Sequence, residues 1–224
     1  MKPILVGALF LFALASHAVE PVAPSAYAAM KIPAGEVLNG TVLSATVLGG
    51  DRQVVALVTY LTGNKDEVNA VNVRLEVFRR EGASLVSVYA RDYGSENGGL
   101  VGRGELELVD LDGDDVKDIF VEYDDFHDKL ITLRRGEILT QGRGTFRTVW
   151  TGAIEYDATK AAREIPAARR DRFSRRLDVP ASLKTRGLNV VFGKTTTAVA
   201  GERLTEPKMT REAFPWKPEE PAAR

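Results

Sequence analysis

Nine residues near the middle of the chain constrain its fold more than any other feature. They read DLDGDDVKD from Asp110 to Asp118, with aspartates at positions 1, 3, 5 and 9 and glycine at position 4. This spacing lets a tight turn direct alternate carboxylates toward one point, as a hard cation with oxygen ligands requires. Without a cation, carboxylates held this close repel one another and raise each other's pKa. The segment therefore predicts an acidic turn that binds calcium.

The residues on either side of this loop have the pattern of strands. Leu106 and Leu108 alternate with glutamates before the loop, and the apolar run Ile119–Tyr123 follows it. With these flanking strands, residues 104–124 resemble a single copy of the integrin-type FG-GAP repeat, also called the VCBS repeat. The sequence departs from that pattern at Asp115, where the family usually has glycine. Asp tolerates the left-handed backbone conformation better than most residues, so we expect the turn to persist.

The resemblance implies a set of calcium ligands, and the residues leave other interpretations open. An EF-hand is excluded because that loop needs glycine at position 6 and glutamate at position 12, where this chain has Asp115 and Val121. Magnesium fits poorly, since it prefers few carboxylates and several waters. A metal-free acidic turn, capped by its own Asx hydrogen bonds, is the remaining alternative. By resemblance the ligands are the side chains of Asp110, Asp112, Asp114 and Asp118 and the backbone carbonyl of Val116.

The first eighteen residues predict export. Lys2 precedes an apolar run from Ile4 to Leu14, and small residues precede a cleavage site after Ala18. This is the pattern of a secretory signal peptide, and its apolar part is too short to span a bilayer. We expect a soluble bacterial protein in the periplasm or extracellular space, without a transmembrane segment. The chain contains no cysteine, so its core must be large enough to dispense with disulfides or must use a metal instead.

The rest of the chain predicts a mainly β fold. We expect a signal peptide at 1–18, a flexible Ala- and Pro-rich leader at 19–35, a β-rich domain at 36–205 and a Pro-rich tail at 206–224. The run Val54–Leu61 is typical of a strand buried on both faces, because it is almost entirely apolar. Many short strands between turn signals indicate antiparallel sheets, sandwich-like or partial-propeller-like. A helical segment is predicted near 157–177, where Asp157 can cap and where Ala158, Ala161, Ala162 and Ile165 fall at helical spacing. Pro166 divides it into two short helices, with Phe173 and Leu177 on the second. In the tail, Phe214-Pro215-Trp216 can dock on the domain as a strap.

Few residues indicate catalysis. His127 is the only histidine after the predicted cleavage site, which excludes zinc sites with two histidines. Glutamates at 105, 107 and 122 could pair as in glycoside hydrolysis, but their separation is not readable from the sequence. No phosphate-binding loop or other cofactor motif is present. The basic residues at 169–176 are typical of a solvated helix face, and export argues against nucleic acid as a partner.

We expect a non-enzymatic module that binds a protein or polysaccharide. The alternative is a secreted hydrolase of polysaccharide or phosphate ester that uses the acidic cluster and His127.

Overall fold

Antiparallel strands dominate the structure, as the sequence predicts. The computed structural model describes residues 24–61, 71–93, 100–126, 131–142, 144–161, 171–184, 189–200 and 203–216. These residues form two main antiparallel sheets, of four and seven strands, together with two short α-helices and a two-stranded ribbon. The predicted signal peptide and His127 lie outside the described residues.

The smaller sheet is a meander in which each strand pairs with the next. Its four strands are β1 (Val37–Ala45), β2 (Gln53–Leu61), β3 (Val71–Glu81) and β4 (Ser84–Tyr93). Strand β2 is buried from Gln53 to Thr59. Val55 and Leu57 face the larger sheet, and Val54 and Val58 face the opposite side of β2. The prediction of a strand buried on both faces is therefore confirmed.

The outer face of the smaller sheet is covered by the segment that precedes it. Helix α1 (Pro24–Met30) and a 3-10 turn (Ala34–Glu36) lead into β1. Ala26, Met30 and Ile32 are buried in one cluster with residues of β2 and β3, including Phe78. The prediction of a flexible leader is wrong for this part of residues 19–35. These apolar side chains shield a sheet face that would otherwise be exposed to water.

The larger sheet has the order β13-β10-β9-β8-β7-β6-β5. A short helix, α2 (Val179–Lys184), precedes β10, and the ribbon β11 (Val199–Ala200) and β12 (Arg203–Leu204) precedes β13. The seven strands of this sheet are β5 (Leu100–Val109), β6 (Asp118–Phe126), β7 (Thr132–Gly142), β8 (Thr145–Asp157), β9 (Arg172–Leu177), β10 (Asn189–Thr197) and β13 (Lys208–Pro215).

This sheet is covered on both faces around β6. Ile119 and Val121 belong to the inter-sheet core, the cluster that joins the two sheets. Phe120 points the other way, into a second core that includes Trp150 and Phe192. Strands β6 and β10 are four places apart in the sheet order, which in a flat sheet means about 19 Å. The rings of Phe120 and Phe192 are only 6.3 Å apart, so the sheet curls strongly around the second core.

The helix predicted near 157–177 is wrong over the part that the structure describes. Strand β8 continues to Asp157, whose carboxylate accepts a hydrogen bond from the Thr159 backbone and so caps a turn instead of a helix. Residues 172–177 form strand β9, in which exposed and half-buried residues alternate. Phe173 and Leu177 are four residues apart, and this separation fits the period of a strand as well as that of a helix. Residues 162–170 of the predicted helix lie outside the described residues.

The prediction of a Pro-rich tail outside the β-rich domain is also wrong for residues 206–216, the part of it that the structure describes. Strand β13 pairs with β10 along its whole length, from Thr196 opposite Lys208 to Asn189 opposite Pro215. A proline is tolerated here because β13 is an edge strand. Phe214 and Trp216 pack against the second core, as the predicted strap requires.

We expect Phe214→Ala to destabilise the domain by about 2 kcal/mol, since the change removes part of a buried aromatic cluster. The Phe214 ring lies 5.8 Å from Trp150 and 5.9 Å from Phe192. Met209→Ala on the same strand is the control, because Met209 is 81% exposed and should change stability by less than about 0.5 kcal/mol. Urea unfolding measures both variants. Equal stabilities would contradict the integration of β13 into the fold.

Candidate functional site

The aspartate loop connects two strands of the larger sheet, where the sequence places it. Strands β5 and β6 pair from Gly104 opposite Tyr123 to Val109 opposite Asp118. The loop itself, residues 110–117, forms the turn of this hairpin. The predicted arrangement of strand, acidic turn and strand is therefore confirmed.

Side-chain hydrogen bonds and two left-handed residues shape the loop. Gly113 and Asp115 have φ angles of 79° and 67°, so Asp115 adopts the left-handed conformation expected of it. The Asp110 carboxylate accepts hydrogen bonds from the backbone N–H groups of Gly113 at 2.7 Å and Asp115 at 3.2 Å. Asp114 Oδ1 accepts one from Val116 at 2.8 Å. These bonds match the Asx turns of the metal-free alternative, and they also hold the carboxylates in fixed directions.

Three of the four predicted side-chain ligands converge. One carboxylate oxygen from each of Asp110, Asp112 and Asp114 lies within 4.8 Å of the others. Two oxygens that both bind one calcium ion at about 2.4 Å are at most about 4.8 Å apart, so this spacing fits a shared ion. Burial raises the pKa of Asp112, and the charges of Asp114 and Asp110 raise it further. A cation at this point would offset that repulsion.

Asp118, the fourth predicted side-chain ligand, has a different environment. Its side chain is only 3% exposed, and its Oδ2 accepts a hydrogen bond from the Leu111 N–H at 2.9 Å. Burial raises the pKa of Asp118 to about 7, while hydrogen bonds from the Thr140 hydroxyl and from Leu111 oppose this increase. Asp118 lies outside the group formed by the other three carboxylates, and its role as a ligand stays a prediction. Val116, the predicted backbone ligand, lies in the same turn.

The loop is attached to both halves of the structure. The Lys117 N–H donates a hydrogen bond of 2.7 Å to the carbonyl of Thr46, which follows β1 of the smaller sheet. Leu111 is fully buried in the second core. Leu183 of α2 lies 3.9 Å from the position that a Cβ on Gly113 would occupy. An ion in this loop would therefore stabilise a junction between the two sheets and α2.

A cavity of about 530 Å³ lies on the curled face of the larger sheet, and no residue of the aspartate loop lines it. Its wall contains Glu105, Glu107 and Glu122, the glutamates that the sequence suggests as a hydrolytic pair. Arg134 occupies the space among them. Its guanidinium bonds Glu122 at 2.7 Å and Glu105 at 2.9 Å, and it also bonds Asp124 at 3.1 Å.

This pairing bears on the hydrolase alternative. The pKa of Glu122 is raised overall, because burial outweighs the opposing hydrogen bond and charge of Arg134. A general acid has to carry a proton, whereas the Arg134 guanidinium favours the ionised carboxylate. Sequence reasoning missed Arg134, because its contact with Glu122 and Asp124 depends on how β7 pairs with β6. Asp124 lies directly opposite Arg134 in that pairing.

The basic residues 172–176 lie on strand β9, so the prediction of a solvated helix face is wrong for them. Arg175 is largely enclosed. Its guanidinium lies 4.6 Å from the Phe173 ring and 5.7 Å from the Phe214 ring. It also forms an ion pair of 2.7 Å with Glu212 on β13, which links β9 to the far edge of the sheet.

Comparison of the chain with protein-family models, with curated proteins and with solved structures yields no match. Among the described residues, neither helix combines the length and apolar character needed to cross a bilayer. The functional interpretation therefore depends on the geometry of the aspartate loop and of the cavity.

We expect Asp118→Asn to stabilise the calcium-free protein at pH 8 by up to about 4 kcal/mol, because each unit of pKa shift is worth about 1.4 kcal/mol. The folded protein favours the protonated carboxyl, whose pKa rises from 3.8 to about 7. Wild-type stability is therefore lost relative to the variant as the pH rises through this range, and the difference vanishes below about pH 4. Urea unfolding in EGTA between pH 4 and pH 8 measures this. A pH-independent difference would contradict the burial of a charged Asp118.

Proposed function

We propose that this chain is an exported, calcium-binding β-rich protein that acts as a non-enzymatic binding or structural module of the cell envelope or extracellular space. The observation that carries the proposal is the convergence of Asp110, Asp112 and Asp114 within 4.8 Å at the turn of the β5–β6 hairpin. A cation would compensate the three negative charges in this turn, and carboxylate oxygens are the ligands that calcium prefers.

The proposed calcium has a structural role. The chain has no cysteine and so cannot use disulfides to connect its sheets. The loop already contacts both halves of the structure, through Lys117 to Thr46 and through the buried Leu111. An ion that binds the folded loop and not the unfolded chain stabilises the fold by mass action. Calcium would thereby take the place of a covalent link at this junction.

The donor set supports calcium over other metals. All three converging ligands are carboxylates, whereas zinc and copper sites use imidazole or thiolate. Magnesium usually binds through one or two carboxylates and keeps several waters. The left-handed Asp115, which stands where the FG-GAP pattern has glycine, supports a single FG-GAP-like loop over residues 104–124.

The non-enzymatic role and the export are parts of the same proposal. Arg134 forms ion pairs with Glu105 and Glu122, and a carboxylate that is paired with a guanidinium is less available as a general acid. The apolar run and cleavage pattern of residues 1–18 support export to the periplasm or extracellular space. A protein or a polysaccharide is the partner expected of such a module.

We expect millimolar calcium to raise the melting temperature of the chain by about 5 to 10 °C over EGTA. A ligand at 100 times its Kd contributes about 2.7 kcal/mol, and each kcal/mol shifts the melting temperature of a protein of this size by about 2–4 °C. Asp112→Ala should lose this response, because one of the three converging carboxylates is gone. Differential scanning calorimetry of both proteins in EGTA and in millimolar calcium measures this change in melting temperature.

The control for this experiment is Asp115→Asn, in the same loop. Asp115 lies outside the converging group, and Asn tolerates its left-handed backbone. This variant removes one negative charge and should keep most of the calcium response. An equal loss in both variants would show that the calcium-induced rise in melting temperature depends only on the net charge of the loop. No response in the wild type would overturn the proposal of a calcium site.

A further inference from the structure

The cavity on the larger sheet has a lining that specifies a ligand. We propose that it binds a small aliphatic amine, a ligand that carries a primary ammonium group on an unbranched aliphatic stem. This site is separate from the aspartate loop, and the inference does not rest on calcium binding. It depends on how the cavity is formed, on which of its charges are already paired and on the shape of its apolar lining.

The cavity forms because two neighbouring strands separate. Strands β8 and β9 pair only from Glu155 opposite Ser174 to Asp157 opposite Arg172. On its other side, β8 has a bulge at Ile154, since Arg134 lies opposite Glu155 while Arg135 lies opposite Ala153. A bulge bends a strand and redirects its side chains. The residues of β8 that precede the bulge do not pair with β9. The gap between these two strands opens toward β5, β6 and α2.

Two of the three arginines that line the cavity are already neutralised. Arg134 bonds Glu105, Glu122 and Asp124. Arg175 bonds Glu212 at 2.7 Å and also donates a hydrogen bond across the gap to the carbonyl of Ala153. Their positive charges therefore compensate carboxylates of the protein, and an anionic ligand would have to compete with those carboxylates.

The remaining charges of the cavity favour a cation. Glu107 and Glu155 both line it, and within the described part of the chain neither makes an ion pair or a side-chain hydrogen bond. Arg176 is the remaining base of the lining; it is exposed, as is Glu107, whereas Glu155 is half-buried. Glu107 also raises the pKa of the neighbouring Glu122 by its charge. An ammonium group bound at either glutamate would gain a charge-assisted hydrogen bond, and one at Glu107 would also relieve this repulsion.

The apolar part of the lining determines the shape of the ligand. It consists of aliphatic side chains from β8, β9 and α2, together with Phe120, which is only 3% exposed. The described lining thus offers no open aromatic face. Quaternary ammonium ligands depend on such faces, whereas a primary ammonium bonds carboxylates directly and its stem packs on aliphatic groups. A volume of about 530 Å³ falls within the range of small-molecule sites. The aliphatic residues are Ile154, Leu177, Val179 and Pro180.

The test is isothermal titration calorimetry of the full chain with 1,5-diaminopentane and with 1,5-pentanediol, the neutral analogue of the same length. Each titration is carried out in EGTA and again in calcium. The double variant E107Q/E155Q removes both unpaired carboxylates and keeps the size of the side chains. The control is Glu206→Gln, because Glu206 is exposed and lies outside the cavity lining. Circular dichroism confirms that each variant is folded.

We expect the diamine to bind with and without calcium, and the diol to bind at least about tenfold more weakly, as loss of a charge-assisted hydrogen bond predicts. The double variant should weaken diamine binding by about tenfold or more, and Glu206→Gln should leave it unchanged. Increasing the salt concentration should weaken the binding of the diamine and leave the binding of the diol unchanged. Failure of the diamine to bind the wild type would overturn the proposal, as would equal binding of the diol or undiminished binding by a folded double variant.

Discussion

The burial of strand β6 on both faces is the constraint on which the rest of the structure depends. Ile119 and Val121 fill the inter-sheet core, and Phe120 between them fills the second core. A shift of one residue in the pairing of β6 would exchange these faces, so the register is strongly specified. The register in turn fixes where the hairpin begins and ends. The aspartates therefore meet at a defined point, and their repulsion cannot be relieved by moving the strands.

The same arrangement explains why the larger sheet curls and where its cavity lies. Phe192 on β10 and Phe214 on β13 complete the second core over Phe120 and Trp150. This contact brings strands from the two halves of the sheet order together at the end near the aspartate loop. At the other end the curled face carries charged residues, which water can reach through the gap between β8 and β9. One sheet thus provides an apolar core and a polar cavity on a single face.

Local periodicity made most strands, and the acidic turn, predictable from the sequence. Alternation around Leu106 and Leu108 identified β5, and the near-continuous apolar run identified β2 as a doubly covered strand. Strand β9 was missed because Phe173 and Leu177 satisfy both periods and because the intervening arginines suggested a solvated helix. The partial burial of Phe173 and Arg175 depends on contacts with β10 and β13, which come later in the chain.

The other errors have the same physical origin. The leader reads as flexible because its few apolar residues lack periodicity, yet Met30 and Ile32 find a partner in the outer face of β2 and β3. The prolines of residues 206–224 predict a tail outside the β-rich domain, but Pro215 stands at the end of an edge strand where no ladder donor is needed. Arg134 acquires its role only through strand pairing. Contacts between elements, which a single sequence does not reveal, decided each of these cases.

Amide hydrogen exchange followed by NMR tests most directly whether an ion in the aspartate loop stabilises the β5–β6 hairpin and the junction it forms. Calcium should slow the exchange of the Leu111, Lys117 and Ile119 amides far more than that of amides in β4, the outer strand of the smaller sheet, because the proposed ion would bind where β5 and β6 meet. Exchange rates at these three amides that are the same in calcium and in EGTA, with the protein folded in both, would contradict a structural metal site in this loop.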